Sequence, residues 1–174
     1  MSSDGPAAGA LALRPARPEE ATRLAAIAEA AYARYLARMD RRPAPMDADY
    51  AGAIAAGHAA VLADADDRAV GFLIQFPRAE DWFVENVAVD PALQGGGLGR
   101  RLMAEAERAA RAAGRTRVRL YTNVAMTENI PFYEALGYRV AGRVREDGFE
   151  RIYFEKDLPE AAERNGAGDA SGDG

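Results

Sequence analysis

The chain has 174 residues, the size of one ordinary globular domain, and although 49% of them are hydrophobic, forty are alanine, so the larger apolar side chains suffice for a core of modest size. Its 27 acidic residues against 22 basic ones give a net charge of −5, which disfavours a basic nucleic-acid footprint. With no Cys and a single His there is no disulfide framework, thiol nucleophile, Cys-bound metal or multi-histidine metal site, so the chemistry falls to carboxylates, Tyr, Ser/Thr, Arg and the backbone.

Residues 1–10 and 159–174, rich in Gly, Ala, Ser and acids, read as disordered tails around a single domain at 11–158. Much of the acidity lies in these tails, which leaves 22 acidic and 21 basic residues between 11 and 158. The N-terminus lacks a basic region followed by an apolar one, and no apolar run approaches a membrane span of roughly 18 residues, so the expectation is a soluble cytoplasmic protein without a membrane partner.

The first element is a short strand, Leu11 to Arg14. Pro18-Glu19-Glu20 then opens a helix whose face carries Leu24, Ile27, Ala28, Ala31 and Tyr35. A break at Arg41 to Pro45 precedes a second helix, Asp47 to Ala56, with Tyr50 and Ile54 on one face and Gly57 as its stop. His58–Ala63 and Ala69–Phe76 read as an antiparallel pair around Asp64-Ala65-Asp66-Asp67. Another strand runs from Trp82 to Val89. A glycine loop leads into the longest helix, Leu98 to Ala113, with an expected buried stripe of Leu98, Leu102, Ala106, Ala109 and Ala113 and an exposed Glu107–Arg111 pair. A strand at Arg117–Asn123, a short helix at Asn129–Leu136 stopped by Gly137, and a hairpin of Tyr138–Val144 and Phe149–Phe154 around Asp147-Gly148 complete a mixed α+β order.

The stretch from Val87-Ala88-Val89-Asp90-Pro91 through Gln94-Gly95-Gly96-Gly97-Leu98-Gly99-Arg100 joins a strand end to a helix start. Helix starts present unpaired N–H groups and partial positive charge, and glycines allow close backbone approach, so the loop reads as a pyrophosphate site. It is neither a Walker loop, since the only Lys is Lys156, nor a dinucleotide fingerprint, since Arg100 stands where the third Gly is required.

Gln94 to Gly99 resembles the Gln/Arg-x-x-Gly-x-Gly/Ala signature of the GNAT superfamily of N-acetyltransferases. Asn129-Ile130-Pro131-Phe132-Tyr133-Glu134-Ala135-Leu136-Gly137-Tyr138 resembles its second signature. The resemblance covers Trp82 to Leu158 well and the early helices loosely. It implies a central, mostly antiparallel twisted sheet of six or seven strands flanked by about four helices, acetyl-CoA as cosubstrate without a metal, and transfer of its acetyl group directly to an amine in a ternary complex.

By the same resemblance, the backbone of Val87, Ala88 and Val89 pairs with the pantetheine arm as an added strand. The amides of Gln94, Gly95, Gly96, Gly97, Leu98, Gly99 and Arg100 cradle the pyrophosphate, with the Arg100 side chain either a further contact or part of a solvated helix face beside Arg101. Tyr133 matches the tyrosine that protonates the departing thiolate, and Asn129, four residues earlier, either binds the cofactor arm or caps its helix. Glu85 is the base candidate. Regular alternation groups it with Phe83, Val87 and Val89, but relatives bulge here, so either Glu85 or Asn86 faces the cleft, and a solvent-facing Glu85 stays open.

Tyr32, Tyr35, Met46, Tyr50 and Trp82, with Tyr121 and Asn123 on the next strand, are the candidate acceptor walls, and His58 is expected to be structural. They would suit a small-molecule amine or a peptide amine alike. Family habit makes a homodimer through the C-terminal strands one expected assembly. A non-catalytic CoA-binding regulatory module is the competing reading.

Overall fold

The computed structural model describes residues 11–160, so the expected tails lie outside the described residues except for Pro159 and Glu160. Seven strands, β1 (Ala12–Pro15), β2 (Ala59–Ala63), β3 (Ala69–Pro77), β4 (Trp82–Val89), β5 (Arg117–Asn123), β6 (Arg139–Glu146) and β7 (Phe149–Asp157), form one sheet in the order β1-β2-β3-β4-β5-β7-β6. All neighbours are antiparallel except β4 and β5. Four helices flank the sheet: α1 (Ala21–Tyr32), α2 (Tyr50–Ala55), α3 (Leu98–Ala112) and α4 (Asn129–Ala135). The expected mixed, mostly antiparallel architecture is thus borne out.

Alternation along the strands builds two cores. In β3, Phe72 and Ile74 face Leu24, Ile27, Tyr50 and Ile54 of α1 and α2. Leu73, between them, faces Leu102, Met103 and Ala106 of α3, together with Val118, Leu120, Ile152 and Phe154.

Local chemistry moves several boundaries. The first helix enters through a 3-10 turn at Pro18–Glu20 and ends at Tyr32, after which the chain tightens to 3-10 geometry over Ala33–Arg38 with Tyr35 still buried. The second starts at Tyr50 rather than Asp47, because the Asp49 side chain accepts from Gly52 N–H at 2.9 Å and caps it; Ala44–Asp47 is a separate 3-10 turn. In α3 the buried stripe is Leu98, Leu102, Met103, Ala106 and Ala110, which corrects the expected one: Ala109 is half-buried and Ala113 exposed, and the face is centred so that the larger Met103 lies inside. The Glu107–Arg111 pair is also corrected. Glu107 bonds Lys156 Nζ at 2.6 Å and accepts from the Tyr138 hydroxyl at 3.4 Å, a tertiary arrangement that outweighs a local pair worth a few tenths of a kcal/mol. Asp147 and Gly148 close the final hairpin with φ of 52° and 77°, as a primed two-residue turn requires.

Two features of β4 matter most for function. Its register against β3 steps from Ile74↔Asn86 to Gln75↔Val84, leaving Glu85 as an extra, bulged residue. Its parallel pairing with β5 covers only Trp82–Val84 against Val118–Leu120, whereas β5 stays paired with β7 as far as Asn123↔Arg151. Beyond Val84 the two central strands separate.

Leu102 is fully buried under the sheet, so Leu102→Ala should lower unfolding free energy by about 3 kcal/mol. The exposed Arg108→Ala on the same helix should stay within about 0.5 kcal/mol of the parent. Urea titration followed by circular dichroism measures both.

Candidate active site

The separation of β4 from β5 opens a cavity of about 500 Å³. Val87, Ala88 and Val89 line it from β4, on the side that has lost its β5 partner.

At one end stands the glycine loop. Asp90 accepts from Ala92 N–H at 3.0 Å and pairs with Arg23 of α1 at 3.2 Å, so the loop leaves the strand from a fixed point. Gly95 and Gly97 have φ of 87° and 78°, in the region that favours glycine, with open space where a Cβ would stand. Gly97 is the N-cap of the 15-residue α3, and the first amide bonded back into the helix is that of Arg101, to Gly97 O at 3.0 Å. The N–H groups of Leu98, Gly99 and Arg100 therefore have no intrahelical acceptor and point their positive end toward the loop. Gln94, Gly95, Gly97, Leu98, Gly99 and Arg100 line the cavity, while Gly96 does not. The two arginines divide: Arg101 donates to Leu11 O at 2.8 Å, and Arg100 is exposed at the cavity with no ion pair among the described residues.

Helix α4 borders the cavity from across the gap. Asn129 and Tyr133, one turn apart, both line it. Asn129 does not cap: the N-cap is Glu128, and the Asn129 amide donates to Thr122 Oγ1 of β5 at 2.9 Å. Tyr133 is 8% exposed, and burial pushes its phenol well above the ordinary tyrosine value.

The bulge decides the roles of Glu85 and Asn86. Because Glu85 is the extra residue, Phe83, Asn86 and Ala88 share one face and Val84, Val87 and Val89 the other, so the bulge that the resemblance implied replaces regular alternation in this strand. Glu85 is exposed and borders the cavity. Asn86 is buried and bonded on both sides: it accepts from the Tyr32 hydroxyl at 2.8 Å and donates to the Tyr50 hydroxyl at 2.9 Å, which in turn donates to Pro45 O at 2.5 Å. This network ties α1, β4 and the segment before α2 together. Burial raises the Tyr50 phenol, opposed by the Asn86 bond.

A second cavity of about 460 Å³ adjoins the first and shares Ala44, Pro45, Glu85, Asn86, Tyr121 and Arg151 with it. Tyr50 lines this second cavity, Tyr32, Tyr35 and Asn123 the first, and Tyr121 both. Two sequence expectations are corrected. Trp82 lies outside both cavities, turned to the α3 face of the sheet with its indole donating to Gln75 Oε1 at 2.8 Å; Met46, though buried, also lines neither. His58, expected to be structural, stacks on Phe76 at 5.0 Å between centroids and also lines the second cavity along with Glu85.

The segment 33–47 crosses over the opening. Arg38 pairs with Glu128 at 2.6 Å, holding that carboxyl down to about 2, and Arg41 donates to Asp147 O at 2.9 Å. These ties and the buried Arg151 carried no local signal in the sequence, because their partners lie far along the chain. Among the described residues, no three His, Asp or Glu side chains cluster as a metal-binding group, and no helix is long and apolar enough to cross a membrane.

A family model described as the acetyltransferase (GNAT) family matches residues 21–138. The chain superposes on the PaiA N-acetyltransferase from Thermoplasma acidophilum in complex with coenzyme A, with a TM-score of 0.72 and 18% identity over 85% of this chain and 99% of that one. Ard1 from Thermoplasma volcanium gives 0.71 and 18% over 87% and 99%, and the ribosomal-protein-S18-alanine N-acetyltransferase from Escherichia coli gives 0.66 and 19% over 88% and 97%. At these identities the superpositions speak for a shared fold. The sequence match runs well over half the chain, from the start of α1 past α4 to Tyr138, and with it the chain belongs to the GNAT acetyltransferase family, acyltransferases that use acetyl-CoA as cosubstrate.

Proposed function

We propose that residues 11–158 act as one catalytic domain that moves an acetyl group from acetyl-CoA directly to a primary amine, both bound at once in the opening between β4 and β5. The observation that carries this reading is that one cavity touches the partnerless side of β4, the amide end of α3, Tyr133 and Glu85.

The residues fit the cosubstrate. Open space above Gly95 and Gly97 lets phosphate oxygens approach the N–H groups at the α3 start, and Arg100 adds a charge-assisted contact. Val87 to Val89 offer strand-edge groups to the amide-bearing arm. Asn129, whose N–H is taken by Thr122, presents its carbonyl oxygen to that arm. When bound, acetyl-CoA supplies an activated acyl thioester.

Tyr133, protonated at neutral pH like any tyrosine and shifted further in that direction by burial, gives its proton to the sulfur that leaves. Glu85, carried into the boundary between the two cavities by the bulge, takes the proton from the amine, directly or through water. Asn86, an amide held by two tyrosines, serves as a fixed wall. The acceptor then occupies the end bordered by Tyr35, Tyr121 and Asn123 and reaches into the second cavity beside Tyr50. The exposed Val140 and Val144 on the outermost strand β6 support pairing with a second copy along that edge.

Two variants test the division of labour. Tyr133→Phe should lower kcat about 100-fold, followed as thiol release from acetyl-CoA, while the melting shift produced by CoA stays at the parental value; unchanged kcat would remove Tyr133 from the mechanism. Gly97→Asp should weaken CoA binding at least about tenfold by calorimetry, because it sets a negative charge at the helix start. Gly96→Ala, at a glycine off the cavity without positive φ, should stay within about twofold. CoA binding without turnover on any amine would favour a regulatory module instead.

A further inference from the structure

The proposed mechanism leaves unused one cation that the acceptor end contains. Arg151 stands on β7 opposite Asn123 of β5, is 8% exposed, and lines both cavities. Its guanidinium carbon lies 4.3 Å from the Tyr121 ring centroid and 5.3 Å from that of Phe149, so two aromatic rings fix its position. One nitrogen, Nη1, donates to Glu146 Oε1 at 3.1 Å and to Asp147 Oδ2 at 3.2 Å. The Nε and Nη2 donors have no partner among the described residues, although the guanidinium carries five N–H groups in a planar fork shaped to meet two oxygens at once. Asp147 is largely exposed and offsets the charge only weakly, whereas Glu146, 34% exposed, is the more enclosed counter-charge and meets Nη1 alone. Three of the five N–H groups, one on Nε and two on Nη2, are thus left over on a residue that lines both cavities, and a planar oxyanion is the partner that matches such a fork. Glu85, on the same boundary, supplies the opposite charge for an amine.

We propose that Arg151 anchors a carboxylate of the acceptor, so that the acceptor class is an amine bearing a carboxylate, an amino acid in its simplest form, with the carboxylate at Arg151 and the amine toward Glu85. The assignment rests on the acetyl transfer proposed above and names the substrate class of that site. Arg151 determines specificity here and takes no part in proton transfer.

The probes are the twenty L-amino acids, each beside its amide and its decarboxylated amine, tested on CoA-saturated protein by melting shift and with acetyl-CoA by thiol release. At least one amino acid should raise the melting temperature of the CoA-bound protein and be acetylated, while its amide and decarboxylated amine do neither at the same concentration. Arg151→Gln should raise KM for that amino acid about 10- to 100-fold, with the CoA-induced melting shift intact. Arg151→Lys, which keeps the charge but not the fork, should recover part of the loss. Binding or turnover of carboxyl-free amines as good as that of the acids overturns the assignment while leaving acetyl transfer standing, as does an equal loss on acids and amines in Arg151→Gln. If no amine of any kind is acetylated, acetyl transfer itself fails, and the melting shifts of the CoA-bound protein still decide the anion site: no response to any amino acid overturns it.

Discussion

Everything functional in this molecule depends on two neighbouring strands that stop pairing. A parallel pair of β4 and β5 along their full length would satisfy both backbones and close the sheet. Instead, β4 remains with β3 and β5 with β7, and beyond Val84 and Leu120 the two diverge. The cost is a row of backbone groups without a sheet partner, which side chains meet only in part, the Tyr32 hydroxyl donating to Val87 O at 3.2 Å and the Gln94 amide to Val89 O at 3.3 Å. An opening of this kind is a demand for a ligand with its own donors and acceptors, and the amide end of α3 lies beside it.

The bulge at Glu85 is the second half of the same constraint. One extra residue on β4 lets Phe83 and Asn86 share a face, so the strand turns its apolar residues into both cores and still places a carboxylate at the cavity boundary. Asn86 shows what holds the wall of an opened sheet. Its amide is clamped between two tyrosine hydroxyls, and leaving the buried Asn86 or Tyr50 unpaired would cost about 1–3 kcal/mol. The network makes the wall of the opening rigid where the sheet can no longer do so.

The sequence revealed the parts that local rules govern. Glycine punctuation at Gly95, Gly97, Gly114 and Gly137, a 3.6-residue period in α3 and two apolar runs around the turn-like Asp64–Asp67 gave the element order, and the loop between β4 and α3 was readable as an anion site from its glycines and the helix behind it. Alternation failed at Glu85, because a bulge has no composition of its own. Trp82 was misplaced for a related reason: an aromatic near the glycine loop in sequence can face either side of the sheet, and this one faces α3. Arg151 was invisible, since one arginine among 21 differs from the others only through Tyr121, Phe149 and the hairpin turn that folding brings around it.

The two ends of the opening are built to different mechanical standards. The α3 end stands on buried helix and strand packing around Leu102, Met103 and Ala106. The chain from 33 to 47 that roofs the other end reaches its far supports through Arg38–Glu128 and through Arg41 on the hairpin turn, contacts between groups in water. Ion pairs of that kind add little and fade with salt. Ionic strength is therefore a stronger handle on one end than on the other: it loosens the roof above the acceptor region, while beneath the cosubstrate it reaches the Arg23–Asp90 pair and leaves the buried packing of α3 as it was.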